Sequence, residues 1–316
     1  MFFKSVTLKE IIIGIGLVLL PIIYPNDHLI YLLILTWIYS MLSLGLNLML
    51  GYGGQICLGQ AAFFGIGAYT TALLTYDLSI PGIFALPASA FLSASVALGI
   101  GLPILRLRGY FLALATLGFG EIFYIFVNET RWLTNGPTGI TDIPWFSILG
   151  FKFDTYLKFY YLVGLILWLL VLFSKNLVRS NIGRALRSLS TSEAAAQTLG
   201  IDIHRLKVSV FVLAEAYAGI AGSFYAFFIS AIGPPSFTTW LSILVIMMVI
   251  IGGMGNLYGS IIGAAFVVFV SEFLRTYQEY YLSFYGILII IILVLIHRGT
   301  QWGYKNFLKK VFTSIQ

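Results

Sequence analysis

Charge is what this chain of 316 residues has least of: Lys, Arg, Asp and Glu make up 9% of it, against 59% apolar residues. So few polar residues cannot coat a soluble core of this size, which points to lipid as the solvent. Cysteine is nearly absent, and the single Cys57 excludes an internal disulfide and a cysteine-built metal site. The three histidines, His28, His204 and His297, stand far apart and form no ligand set, so neither a metal nor a cofactor is expected. No general-acid pair, nucleophile elbow or GxxxxGK[ST] phosphate loop occurs; there is no catalytic residue to assign, and ATP-driven work would fall to another polypeptide. An excess of 18 basic over 12 acidic residues would suggest nucleic acid in a soluble chain. Here it sits in loops and at the C-terminus, where it orients a membrane protein, and nucleic acid is not an expected partner.

What is abundant is uninterrupted apolar sequence. No charged residue falls within 29–76, 78–105 or 216–271, and each stretch is long enough for at least one crossing of about 20 residues. The runs are continuous rather than alternating, so helices and not barrel strands are expected. About ten spans follow: Ile11–Tyr24, Leu29–Leu50, Ile56–Tyr76, Ile83–Leu105, Tyr110–Val127, Phe159–Phe173, Val208–Ile232, Trp240–Gly252, Leu257–Leu274 and Leu282–Ile296. The expected fold class is an all-α integral membrane protein, a polytopic bundle forming a single domain over 1–316. Lys4 and Lys9 precede the first span as in a secretory signal, but no small-residue cleavage site follows, so it is read as uncleaved, interrupted at Pro21 and ended at Pro25. The third and eighth spans adjoin the glycine clusters GYGGQICLGQ and GGMGNLYGS, so broken or re-entrant pieces are expected there. Gly51 to Gln55 and Gly252 to Asn256 each run from glycines to a carboxamide, which hints at an internal duplication.

A polar insert, residues 174–207, separates the sixth and seventh spans. Lys175, Arg179, Arg184, Arg187, Arg205 and Lys207 outnumber Glu193 and Asp202 in it, and that excess assigns it to the cytoplasmic face. Arg106 with Arg108, and the tail with Arg298, Lys305, Lys309 and Lys310, fall on the same face when both termini are cytoplasmic. Residues 128–158 balance their charges, carry Trp132 and Trp145 at interfacial positions, and read as an external loop. The turn-rich TNGPTGI (134–140) and IGPPSF (232–237) are read either as plain turns or as a docking surface for an external binding protein.

Within the spans, Ala61 with Gly65, and Gly255, Gly259 and Gly263, are small residues four apart, the spacing that lets helices pack closely in lipid. Broken helices also expose N–H groups that can receive the carboxylate of an amino acid, and both readings stay open for the first cluster. Polar side chains are costly in lipid, so Gln55, Gln60, Glu121 and Asn256 are candidates for a translocation path, with helix-to-helix hydrogen bonding as the alternative. Glu215, about two turns beyond Lys207, is expected to lie shallow and pair with a cation of the insert.

Four blocks, GYGGQICLGQAAFFGIGAY, RLRGYFLALATLGFGEI, GRALRSLSTSEAAAQTLGI continuing to AGIAGSFYA, and GGMGNLYGSIIGA, together resemble the permeases of high-affinity branched-chain amino acid ABC importers. They run in that family's order and cover nearly the whole chain; the block from Arg106 to Ile122 resembles the M-type rather than the H-type subunit. Glu193-Ala194-Ala195 followed by Gly200 resembles the EAA-type loop by which such permeases dock onto their ATPases. The resemblance implies a cell-membrane complex of this chain with an H-type sister permease, two cytoplasmic ATPase subunits and an extracytoplasmic solute-binding protein. It implies alternating access for leucine, isoleucine and valine, with Gly183, Arg184, Arg187, Glu193, Ala194, Ala195 and Gly200 as the ATPase-docking segment. The chain departs from the pattern at Cys57 and Gln60, where serine and histidine are common, and at Glu215, where a small or neutral residue is expected. Related permeases carry urea or short amides, a difference the blocks do not register. The reading from another class is a self-sufficient carrier or channel using Glu121 and Glu215; an intramembrane enzyme lacks a nucleophile–base pair.

Overall fold

The computed structural model describes residues 26–275, apart from 108, 149–150, 192 and 199, together with residues 21 and 286. But for Pro21 and Gly286, the expected first and tenth spans lie outside the described residues, as do both termini, Arg108 and the basic tail. The chain divides into two compact units, Met1–Val268 and Phe269–Gln316; of the second, residues 269–275, the end of one helix, and Gly286 are described.

The other eight expected spans are helices. They are α1 (Asp27–Asn47), α2 (Gln60–Ala72), α3 (Gly82–Ile104) and α4 (Tyr110–Glu129), then, after the four-residue α5 (Arg131–Thr134), α6 (Tyr156–Arg179). The polar insert contributes α7 (Asn181–Thr191) and α8 (Glu193–Thr198), and α9 (Ile203–Ile229), α10 (Thr239–Gly252) and α11 (Leu257–Arg275) follow. Among the described residues, seven helical segments are long and apolar enough to cross a membrane. The protein is an all-α, multi-pass membrane protein, its one strand ladder among the described residues being a pairing of β1 (Ser147–Ile148) with β2 (Phe151–Lys152).

The bounds of the third, sixth and seventh spans differ most from those read in the sequence. The third span begins at Gln60, not Ile56, because Gly54 takes a left-handed φ of 64° and unwinds the chain up to Gly59. α6 and α9 overrun their apolar windows and carry Lys175, Arg179, Arg205 and Lys207 as helical residues, so much of the polar insert is the ends of two spans. Asp202 caps α9, its Oδ1 accepting from Arg205 N at 3.1 Å, which is why that helix starts earlier than its apolar run.

α3 shows what organises the bundle. Its buried positions are Gly82, Ala85, Ser89, Ser93, Ala97 and Gly101, while Phe84, Phe91, Leu98 and Leu102 face out. Small residues inward and large apolar ones outward is the pattern of a helix solvated by lipid, where packing and not hydrophobic burial holds helices together. The small face meets α9: a Cβ on Gly219 would lie 2.6 Å from Ser93 Oγ. α9 in turn lies against α2, where a Cβ on Gly67 would fall 2.2 Å from Gly219 O and one on Gly222 only 1.9 Å from Phe64 O. Thr71 Oγ1 and Ser223 Oγ close that seam at 2.7 Å.

At the end of the bundle opposite the insert, TNGPTGI and IGPPSF meet through an antiparallel bridge of Ile140 with Ile232, both N–H···O distances being 2.9 Å. Trp132 is 84% exposed, whereas Trp145 is half-buried and packs against Tyr156 and Phe159.

Gly222→Leu is expected to lower stability by about 1–3 kcal/mol or more, because backbone cannot yield to the new side chain. Gly99→Leu, on the open face of α3 with nothing within 4 Å, is expected to be neutral or slightly stabilising. Thermal unfolding in mild detergent checks the contrast; equal effects at the two sites would contradict it.

Candidate functional site

The polar insert folds as two short helices. In α7, Gly183, Leu186 and Leu189 are buried while Arg184, Arg187 and Ser190 are exposed, so one stripe grips the bundle and a basic one faces water. Gly183 has no room for a side chain, since its Cβ would lie 2.1 Å from Val178 O where α6 turns into α7. Arg184 donates to Asn181 Oδ1 one turn back. Glu193 to Ala195 form the first turn of α8, with Ala196 fully buried behind them. Gly200 ends the segment with φ 76°, its N–H donating to Gln197 O at 2.9 Å and that of Ile201 returning to Ala196 O at 3.3 Å. The space around Gly200 is open, so it is the left-handed cap that requires glycine. Glu193 Oε1 accepts from Lys207 Nζ at 2.5 Å, which ties the start of α8 to α9.

The first glycine break rests on this insert: a Cβ on Gly54 would lie 3.4 Å from Ser190 Cα. Six backbone donors in and beside it are spent inside the protein. Gly53 and Gln55 donate to Met49 O and Gly54 to Leu50 O. Leu58 N reaches Thr116 Oγ1 at 3.0 Å, Gly59 N reaches Cys57 Sγ at 3.4 Å, and Ala61 N reaches Ser242 Oγ at 3.0 Å. These N–H groups are therefore occupied, by the carbonyls of Met49 and Leu50, by the Cys57 thiol and by side chains of α4 and α10, rather than held open for a carboxylate.

The two glycine clusters, alike in sequence, meet in space, and Asn47 joins them. Fully buried, it donates from Nδ2 to Asn256 O and Ser260 Oγ and accepts at Oδ1 from Gly255 N, all at 2.8 Å. Gly51 lies so close that its Cβ would fall 2.3 Å from Gly255 N. Beyond the clasp α10 and α11 run back to back, Gly259 against Gly252 O and Gly263 against Met248 O, with room for a Cβ at neither glycine. On α2, Gly65 faces the Phe123 ring, 2.5 Å from where a Cβ would stand, and Ala61 is buried beside α10.

Glu215 does not pair with a cation of the insert. Lys207 is taken by Glu193, and eight residues of helix carry Glu215 about 12 Å deeper, beside the first break. There, with no exposed surface, its Oε1 accepts from Gln60 Nε2 at 2.8 Å and from Cys57 Sγ at 3.8 Å, while Glu215 Oε2 and Gln60 Oε1 have no hydrogen-bond partner among the described residues.

The four polar candidates are thus not gathered into one site. Gln60 belongs to the Glu215 cluster, and Asn256 caps α11 through Tyr258 N at 3.2 Å. Glu121, exposed on α4, accepts from Thr239 Oγ1 at the start of α10. Gln55 lines a cavity against the polar insert. Asn47 was missed, although a carboxamide within a charge-free run, one turn before a glycine cluster, is a readable signal.

Gln60→Leu is expected to cost about 1–3 kcal/mol, because it leaves Glu215 with only a weak thiol donor. Pairing it with Glu215→Met removes both polar partners and is expected to recover part of that loss, as read by melting in detergent. A double variant no better than Gln60→Leu would contradict the pairing.

Over residues 28–295 the chain matches the family model described as branched-chain amino acid transport system / permease component. It is 34% identical to the high-affinity branched-chain amino acid transport system permease protein LivM of Escherichia coli (strain K12), across 91% of this chain and 74% of that one. It is 25% identical to the probable branched-chain amino acid transport permease protein LivM of Methanocaldococcus jannaschii, across 78% of this chain and 81% of that one. It is 26% identical to the probable LivH permease of the same organism, across 71% of this chain and 68% of that one. No solved structure matches it significantly. Because the match runs from the start of α1 past the end of α11, through both glycine breaks and the polar insert, the chain belongs to the family of branched-chain amino acid transport system permease components.

Proposed function

We propose that this chain is the M-type permease subunit of an ABC importer that moves leucine, isoleucine and valine across the cell membrane by alternating access. It works with an H-type sister permease, two cytoplasmic ATPase subunits that hydrolyse the ATP, and an extracytoplasmic binding protein that delivers cargo. The permease domain spans 1–316, with the coupling loop 174–207 and both termini in the cytoplasm and the loop 128–158 outside; the chain itself performs no covalent chemistry.

The observation that carries this reading is the fold of the insert. An exposed basic stripe on α7 and the left-handed cap at Gly200 form a docking surface whose buried side is fastened to the bundle. Gly183, Arg184, Arg187, Glu193, Ala194, Ala195 and Gly200 make up the ATPase-docking segment. A push there reaches α9 through Glu193 and Lys207 and the first break through Ser190 and Gly54. Since α2 and α3 lie backbone to backbone on α9, those helices rock together. Glu121 supports a path along the open face of α4: a carboxylate exposed on a span is costly against lipid, so that face belongs against the sister permease or the cargo route. Gln55, Gln60 and Asn256 line or shape that route from the two breaks.

Arg184→Glu and Glu193→Lys are each expected to lower recovery of the ATPase subunits about tenfold, a loss of about 1.4 kcal/mol of docking energy. Gly200→Trp, which forces a side chain into a left-handed backbone, is expected to do the same. The measurement is quantitative mass spectrometry of what co-purifies with the C-terminally tagged chain from native membranes. Unmodified chain recovered alone, with ATPases detectable in the same membranes, or leucine transport by the chain alone in liposomes, would overturn the proposal.

A further inference from the structure

A cavity of about 330 Å³ lies where the polar insert meets the first glycine break, within the range of small-molecule sites, about 300–1,000 Å³. Three separate parts of the chain wall it: the break at Gly53 to Ile56, the turn between α3 and α4, and the insert with the first turns of α9. Gln55 is 3% exposed, and neither Oε1 nor Nε2 of its carboxamide has a hydrogen-bond partner among the described residues. Buried amide groups are rarely left unsatisfied, each costing about 1–3 kcal/mol, so this one, on the cavity wall with a donor and an acceptor to offer, calls for a ligand. Glu193 and Lys207 stand on the same wall with their charges side by side. A simple anion there would meet the carboxylate and a simple cation the ammonium, whereas a zwitterion presents a partner to each. Ile56, Leu107, Leu112 and Leu189 supply apolar surface for a side chain.

We propose that this cavity is a cytoplasm-facing binding site for a zwitterionic amino acid with an apolar side chain, through which imported cargo restrains further import. The choice of leucine as that ligand rests on the function proposed above. Glu193 takes the α-ammonium, Lys207 the α-carboxylate, and Gln55 bonds to either. The regulatory consequence follows from the walls. A ligand touching the insert, the break and the α3–α4 turn at once favours the arrangement in which those three parts are close, and it opposes a stroke that moves the insert relative to the spans.

The test uses the complete importer reconstituted in proteoliposomes with the ATPases outside, leucine-loaded binding protein inside, and leucine added to the ATPase side. Transport of labelled leucine to that side and the ATPase rate are both followed. Millimolar leucine on the ATPase side is expected to lower both rates about fivefold or more, with aspartate and isopentylamine ineffective. Gln55→Leu and the cavity-filling Leu107→Trp are each expected to bring the ratio of rates with and without that leucine back toward one. Transport that proceeds without inhibition would overturn the proposal, as would inhibition that both variants retain. Absence of leucine transport would instead count against the assigned cargo. The cavity is then judged on the ATPase rate alone: leucine inhibition that the variants remove sustains the site, and no leucine effect refutes it.

Discussion

Gly67, Gly219 and Gly222 bring the backbones of α2 and α9 so close that no side chain fits between them, and Ser93 of α3 lies against Gly219 while its Oγ donates to Phe63 O of α2 at 3.2 Å. In lipid, apolar residues gain little by burial against one another, because the surrounding solvent is as apolar as they are. What binds one helix to the next is contact at short range, with hydrogen bonds that water does not contest. α9 is therefore the axis of the bundle. Its glycines set the distance of two neighbours, its buried carboxyl at Glu215 reaches the first break, and its first turns carry Lys207 into the ion pair with the insert.

The broken helices follow from the same constraint. A helix interrupted inside a membrane leaves backbone groups that no water can serve, so the interruption persists only where the protein supplies partners. Thr116, Ser242 and the Cys57 thiol do so at the first break, and Asn47 does so at the second with one side chain and three hydrogen bonds. Each break is thereby bound to helices that are distant in sequence. The first break also lies against the polar insert, with Gly54 against Ser190 as the point of contact.

The buried polar groups join helices, and among the described residues no three of His, Cys, Asp and Glu gather to hold a metal. The insert joins a water-facing basic surface to the bundle through the buried stripe of Gly183, Leu186 and Leu189, the ion pair of Glu193 with Lys207 and the contact of Gly54 with Ser190.

Much of this was legible in the sequence, because it depends on local chemistry. Charge-free runs of sufficient length, glycine clusters that end them and a basic insert between them mark spans, breaks and a polar connection whatever the packing; accordingly all eight expected spans within the described residues are helices. The helix ends were less well read, as with α6 and α9, because polar residues can continue a helix beyond the lipid that made it recognisable. The partners of Asn47, Gln60 and Glu215 were not legible at all. Asn47 meets residues more than 200 positions away, and Gln60 meets one 155 positions away. Periodicity and composition say which face of a helix is small or polar; which distant face it meets is decided only when whole helices are brought together, since contact between backbones depends on both surfaces at once.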